Sequence, residues 1–276
     1  MFVTRLLSGI ALVIISIVVL WFGGAVTGVF ALLLSLIGVF ELCRVYKIEK
    51  KAPAAFAYIW TVLYYLVLMF RNESIKGFTV NRAIMPLLVT YLLVMLAIYV
   101  FRFPEYHDKE IMAAFMSFFY VSVMLSYVYR VRELPDGNYF IVLVFICSWG
   151  NDTLAYCVGR LFGKHKMSPK LSPKKSVEGL FGGIIGAGLL GIIYACIVKN
   201  HISTAGNIYF NMFIIGALGA IPAVIGDLAA SAIKRNNDIK DYGKLIPGHG
   251  GVLDRFDSMI FTAPIIYFLV IFMYNL

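Results

Sequence analysis

Charge is scarce in this chain. Asp, Glu, Lys and Arg together make up 14% of its residues, while 61% are apolar; a soluble domain carries about a quarter charged residues and is nearer half apolar. So little ionic surface cannot cover so much apolar mass, which excludes a single soluble globular domain. Cysteine is scarce too. Cys43, Cys147, Cys157 and Cys196 lie within or at the edge of apolar segments and form no close pair. That spacing argues against a disulfide framework or a thiolate metal site and leaves them as small buried residues. There is no low-complexity linker and no strict internal repeat, so the chain reads as one continuous bundle. No small-residue cleavage site follows the first apolar run, and a second run starts almost at once. The first is therefore expected to be a retained span, not a removed leader. The net charge is +9, but no basic face interleaves with exposed aromatics, and nucleic acid is not the expected partner.

What is abundant is long apolar sequence. A membrane span needs roughly 20 apolar residues, and about nine segments qualify: 5–22, 25–43, 53–70, 84–101, 111–129, 138–159, 179–198, 208–233 and 258–275. The fold expected is an all-α, polytopic membrane helix bundle of about nine transmembrane helices. The fifth and sixth are interrupted, by tyrosines and by Asp152. Two connections are long and polar, 160–178 and 234–257. If the N-terminus is cytoplasmic and the spans alternate, most of the 24 Lys and Arg fall on the cytoplasmic side. Only Arg71, Lys76, Arg82, Arg130, Arg132 and Lys199 fall on the other. That excess favours a cytoplasmic N-terminus and puts both long connections in the cytoplasm, where nucleotides are. Residues 1–137 are expected to form a helical scaffold with possible lipid and dimer contacts. The chemistry is expected in 138–276.

Two carboxylates stand deep inside spans. Asp152 lies eight residues before Arg160, and Asp227 seven before Lys234. At about 1.5 Å per residue, each sits roughly 11 Å inside the cytoplasmic end of its helix. Both helices run toward the cytoplasm, so the two can share a depth. A charge in lipid is costly and marks function by default, although either residue alone reads equally well as a hydrogen-bonded Asp between helices. The surroundings favour function. Asp227, Ser231 and Lys234 or Arg235 form one helical stripe, and Asp152 shares a face with Tyr156. Next comes a run from His249 through Gly250, Gly251, Asp254, Arg255 and Asp257. The glycines permit close backbone approach, and Asp254 and Asp257 share a face if a helix begins there.

Four carboxylates in one pocket would repel unless cations neutralise them. Hard oxygen ligands suit Mg²⁺, which prefers one or two protein carboxylates plus substrate phosphates. Neighbouring Lys and Arg bind phosphate, Arg in bidentate fashion. Together these point to phosphoryl or nucleotidyl transfer. The connection 160–178 carries Lys164, Lys166, Lys170, Lys174 and Lys175, two Ser-Pro turns including Ser172-Pro173, and then Glu178-Gly179 at the next helix start. It reads either as a plain basic cytoplasmic loop or as a stiff polyphosphate cradle at a helix N-terminus.

The continuous run from Ser231, Lys234 and Arg235 through Lys240, Asp241, Gly243, Pro247, His249, Gly250, Gly251, Asp254, Arg255 and Asp257 resembles the signature of the phosphatidate cytidylyltransferase family, with no departure from its pattern. Trp149 to Tyr156, Gly159-Arg160, Gly163-Lys164 and Ser172 to Gly179 resemble it as well. The resemblance is strong over about 145–260. Before that, only the hydropathy pattern and an Arg5/Ser8 start agree. It implies an all-helical, Mg²⁺-dependent, dimeric CDP-diacylglycerol synthase of bacterial type, acting on CTP and phosphatidic acid. A second, monovalent cation is left open.

On that reading Asp227, Asp254 and Asp257 are expected at Mg²⁺, directly or through water, with Asp152 a further ligand or orienter. Lys234, Arg235, Lys240 and Arg255 are expected at phosphates. Ser172, Lys174 and Lys175 are expected at the triphosphate or the lipid phosphate. Ser231, Asp241, Gly250 and Gly251 complete the substrate-binding set. His249 either approaches the leaving pyrophosphate or only pins its loop. His107, His165 and His201 are expected as isolated surface residues. A transporter would explain intramembrane Asp but gives the Lys, Arg, His and Gly of the loops no role. A CTP-using lipid kinase would share the acids and cations. A CDP-alcohol phosphatidyltransferase is disfavoured, because Asp136-Gly137 is followed by Asn138-Tyr139-Phe140.

Overall fold

The computed structural model describes residues 2–70, 74–75, 78–202 and 206–276; Arg71 and Lys76, which enter the charge argument, lie outside them. The elements are α1 (Phe2–Phe22), α2 (Gly24–Val45), α3 (Ala52–Met69), β1 (Ser74–Ile75), β2 (Phe78–Thr79), α4 (Ile84–Phe101), α5 (Asp108–Met116) and α6 (Met124–Arg132). They continue with α7 (Gly137–Phe145), α8 (Asn151–Phe162), β3 (Lys166–Ser168), β4 (Ser172–Ser176), α9 (Val177–Val198), α10 (Ile208–Asn236) and α11 (Leu253–Tyr274). A π-helical segment, Ser117–Val123, joins α5 to α6, and another, Ile146–Gly150, joins α7 to α8. Among the described residues, eight helical segments are long and apolar enough to cross a membrane, and Leu7–Phe22 is a shorter apolar helix. The protein is a polytopic membrane helix bundle. Its only described strands form two small antiparallel hairpins.

The interrupted fifth and sixth candidates are continuous spans, Asp108–Arg132 and Gly137–Phe162. Each absorbs its irregularity as a π segment, which keeps backbone groups bonded inside the helix, as lipid requires. The last helix begins at Leu253, ahead of the apolar run at 258, so Asp254 and Asp257 do stand at a helical start. Cys43 and Cys147 are buried as expected, but Cys157 and Cys196 are exposed on helix surfaces.

The chain groups into two compact units: Met1–Ser126 with Tyr242–Leu253, and Tyr127–Asp241 with Asp254–Leu276. The first has an aromatic core in which Tyr91 lies 4.4 Å from Phe118 between ring centroids and Tyr64 meets Phe118 edge-on. The buried hydroxyls are satisfied: Tyr65 with Ser35, Tyr64 with Ser126, Thr61 with Ser122, and Tyr91 donating to the Ala114 carbonyl. With no water in the hydrocarbon layer, each such bond is needed to make a polar side chain tolerable there.

The second unit is built on small residues. A Cβ added at Gly216 of α10 would stand 2.6 Å from the Ala187 carbonyl oxygen of α9. One at Gly219 would stand 2.8 Å from Cys147 Sγ. Gly183 and Gly179 of α9 admit α8 in the same way, against Asn151 and the Ala155 carbonyl. Between membrane helices there is no hydrophobic drive, so close backbone approach through small residues supplies the packing. Thus α9 holds both α8, which carries Asp152, and α10, which carries Asp227. Gly226 of α10 packs on the Asp257 carbonyl of α11, at 2.6 Å from a built Cβ.

Candidate active site

In the second unit, the acids expected from spacing come together with two lysines. Asp152 stands in the first turn of α8, just after the π segment. Ser258 Oγ of α11 donates to its Oδ2 at 3.4 Å. Asp152 also lies within electrostatic reach of Lys175, Asp227 and Arg255. Asp257 feels Asp227, Lys234 and Asp152, and accepts from the Ser258 backbone N–H at 2.8 Å. Lys175, in β4, is ion-paired with Asp227. Lys234 Nζ donates to Asp254 Oδ1 at 2.9 Å, and that carboxylate is buried. One region therefore collects α8, β4, α10 and the start of α11, with carboxylates and ammonium groups interleaved. Low dielectric makes each such pair strong and each unmatched charge costly.

Among the described residues, no three Asp, Glu, His or Cys side chains close on a point to enclose a metal by themselves. Lys175 and Lys234 instead occupy one oxygen each of Asp227 and Asp254. Of the other expected residues in this unit, Ser231 is half-buried on α10, while Arg235, Lys240, Asp241 and Arg255 are exposed. Ser172 and Lys174 lie on β4, the serine half-buried and the lysine exposed.

The connection 160–178 is a hairpin, not a loop. β3 and β4 pair antiparallel, Lys166 opposite Ser176 and Ser168 opposite Ser172. Glu178 ties its base: the Lys164 backbone N–H donates to the carboxylate at 3.1 Å, and His165 Nδ1 stands 2.6 Å from it. His165 is exposed but not isolated, because the hairpin folds it back onto Glu178. His107 likewise caps α5, and His201 stacks near Tyr139. Ser176 caps α9 by accepting from the Gly179 N–H at 3.1 Å. Gly159 and Gly163 leave room for its hydroxyl, which a Cβ on either would approach to 2.8 or 2.7 Å. Glu178→Ala should leave α9 intact but free the hairpin base. We expect faster proteolysis between Lys164 and Lys174 and a fall in turnover of about tenfold, as for a misplaced positioning element.

His249, Gly250 and Gly251 belong to the first unit. His249 Nδ1 lies 2.7 Å from Ser8 Oγ, which also donates to the Pro247 carbonyl at 3.0 Å. Gly250 has a left-handed φ of 91°, and its carbonyl accepts from the Ile246 N–H at 2.9 Å, closing a tight turn. Gly251 faces Glu41, whose carboxyl carbon would be 2.6 Å from a Cβ there. Glu41 stands outside the residues that spacing points to. The available signal was a carboxylate inside the second predicted span, three residues before Arg44.

A helix bundle spanning the membrane, with ion-paired acids and lysines carried on two of its helices and the β3–β4 hairpin, defines an integral membrane protein with a charged site. Residues 3–273 match the cytidylyltransferase family. A phosphatidate cytidylyltransferase of Staphylococcus haemolyticus is 32% identical over 267 residues, covering 97% of this chain and 98% of that protein. The Bacillus subtilis phosphatidate cytidylyltransferase is 29% identical over 273 residues, 96% of each. That of Rickettsia bellii is 37% identical over 194 residues, 68% of this chain and 83% of its own length. The chain belongs to the cytidylyltransferase family.

Proposed function

We propose that this chain acts as a phosphatidate cytidylyltransferase, joining the CMP moiety of CTP to phosphatidic acid to give CDP-diacylglycerol and pyrophosphate. The observation that carries the reading is the interleaving of Asp152, Asp227, Asp254 and Asp257 with Lys175 and Lys234 in one unit of a membrane bundle. A phosphate oxygen of phosphatidic acid attacks the α-phosphorus of CTP. The bond to the bridging oxygen of the β-phosphate breaks, and pyrophosphate leaves with that electron pair. The nucleophile needs little help from a base, because a phosphomonoester with a second pKa of about 6 is already mostly ionised at neutral pH. The protein's task is to bring two anions together and to absorb the charge that develops. Lys175, Lys234, Arg235, Lys240 and Arg255 supply the cations, and Ser172, Lys174, Ser231 and Asp241 complete the substrate contacts.

A magnesium ion fits this donor set. Its oxygens are hard carboxylates, and the ion takes only one or two of them when substrate phosphates fill the rest, so a closed protein cage is not required. Asp227, Asp254 and Asp257 would hold it, with Asp152 as orienter. When bound it would neutralise the triphosphate and the departing pyrophosphate. The lysines on Asp227 and Asp254 hold the acids' charge balanced and, on our reading, turn to phosphate when substrate enters.

The charge bias of the connections supports a cytoplasm-facing site in the inner membrane, and the family resemblance supports a homodimer. The test is product analysis with labelled CTP and phosphatidic acid on purified protein, with and without Mg²⁺. We expect labelled CDP-diacylglycerol and stoichiometric pyrophosphate, lost on chelation. Inside-out vesicles should turn over added CTP where sealed right-side-out vesicles do not. CTP turnover independent of phosphatidic acid, or a phosphorylated lipid as product, would defeat the reading. Light scattering in detergent checks the dimer.

A further inference from the structure

The end of α2 holds a carboxylate that the chemistry above does not use. Glu41 is buried, with 3% of its surface exposed, yet it sits in an apolar span. It accepts from the Val252 N–H at 3.0 Å and the Leu253 N–H at 2.9 Å. These are the two amides immediately before Asp254, and Leu253 opens α11. A helix N-terminus presents unpaired N–H groups and a partial positive charge, and a carboxylate satisfies both.

The surroundings are shaped around this grip. A Cβ on Gly243 or Gly251 would collide with the Glu41 carboxylate, so both ends of the turn are open only because those positions are glycine. One turn earlier on α2, Gly38 makes room for the Leu253 side chain, 3.1 Å from a built Cβ. One turn later, Arg44 donates to the Tyr242 carbonyl. A single face of α2 thus takes hold of residues 242–253 at both ends. The polypeptide between Lys240-Asp241 and Asp254 is fixed by it, with His249 in the middle.

We propose that Glu41 is a positioning residue for the cytidylyl-transfer reaction, acting with Arg44 to fix the 242–253 segment and with it the start of α11, whose first turn carries Asp254 and whose second carries Asp257. The assignment rests on the reading above for its activity readout. A purely apolar residue would be cheaper to bury at this depth, and a hydroxyl would suffice to cap a helix. A carboxylate that takes two successive amides sets the direction of the chain as it enters α11, and that direction decides where the next residue points.

The experiment uses the full-length chain in detergent with Glu41→Gln, which keeps the size but places an amide NH₂ against N–H donors, and with Arg44→Ala, whose exposed side chain can be removed without opening the core. Hydrogen exchange of the peptides covering 242–256 is read beside CTP kinetics per mole of folded enzyme. The expected result is faster exchange confined to that segment and a fall in kcat of about tenfold to 10²-fold for Glu41→Gln, with KM for CTP changed less than about threefold. Arg44→Ala should loosen 242–246 and lower kcat several-fold. Glu41→Asp should recover part of the loss, because it restores an acceptor for both amides. Folded Glu41→Gln with wild-type exchange in 242–256, or with wild-type kcat, overturns the proposal. If Glu41→Gln does not fold, Arg44→Ala decides by the same two readouts. Wild-type protein that makes no CDP-diacylglycerol while Glu41→Gln still loosens the segment would instead count against the enzymatic reading alone.

Discussion

Asp254→Asn is expected to lower CMP transfer by about 10²-fold or more, the scale of losing a preorganised electrostatic group at a reacting centre. The carboxylate is buried at the start of α11 and bonded to Lys234. Replacing it with an amide keeps the shape but leaves an ammonium beside a neutral group, in a place where charges are balanced in pairs. Asp227→Asn should be as damaging, since it uncouples Lys175 and removes the charge felt by both Asp152 and Asp257. The two are expected to act as a unit, so the double variant should be little worse than either single one. Rates normalised to folded protein decide it. Either single variant turning over at close to the wild-type rate would show that these acids are not part of the reacting centre.

A second large effect is expected from Gly216→Leu, by a different route. Its Cβ would face the Ala187 carbonyl oxygen at 2.6 Å and the Gly188 Cα at 3.1 Å. Both belong to the backbone of α9, which cannot swing aside as a side chain can. Overpacking of this kind costs about 1–3 kcal/mol, and more against backbone. For a chain of this size that lowers the melting temperature by roughly 2–10 °C. Activity should vanish with it, because α9 is what holds Asp152 and Asp227 on neighbouring helices. Leu218→Ala, at an exposed position two residues on, serves as the control and should fall within about 0.5 kcal/mol of the parent. Thermal melts in detergent separate the two; equal melting of Gly216→Leu and Leu218→Ala would refute the packing account.

How much of this was visible in the residues depends on the range of the interaction. The spans, the shared depth of Asp152 and Asp227 and the common face of Asp254 and Asp257 follow from local periodicity, which a reader can count. The pairing of Lys175 with Asp227, and of Lys234 with Asp254, does not. Several lysines were equally near in sequence, and only the packing of α8, α9, α10 and the β3–β4 hairpin selects among them. The hairpin itself was hidden because two Ser-Pro turns read as a stiff loop, while the residue that closes it, Glu178, reads as the opening of a helix. The apolar run of the last span starts only at 258, because Asp254 and Asp257 interrupt it, so hydropathy alone does not mark where α11 begins. The helix begins earlier because Glu41 caps it from another span.

That last bond has a consequence for biosynthesis. Glu41 precedes its amide partners by 211 and 212 positions. At about 5–20 residues per second, a ribosome delivers Val252 and Leu253 about 10–40 s after the carboxylate has entered the bilayer region. The nascent chain therefore carries this carboxylate through most of translation before the two amides that donate to it have been made. A truncated product that stops before Val252 lacks both of these bonds and the start of α11 that they hold, and it is expected to be degraded faster than the full chain.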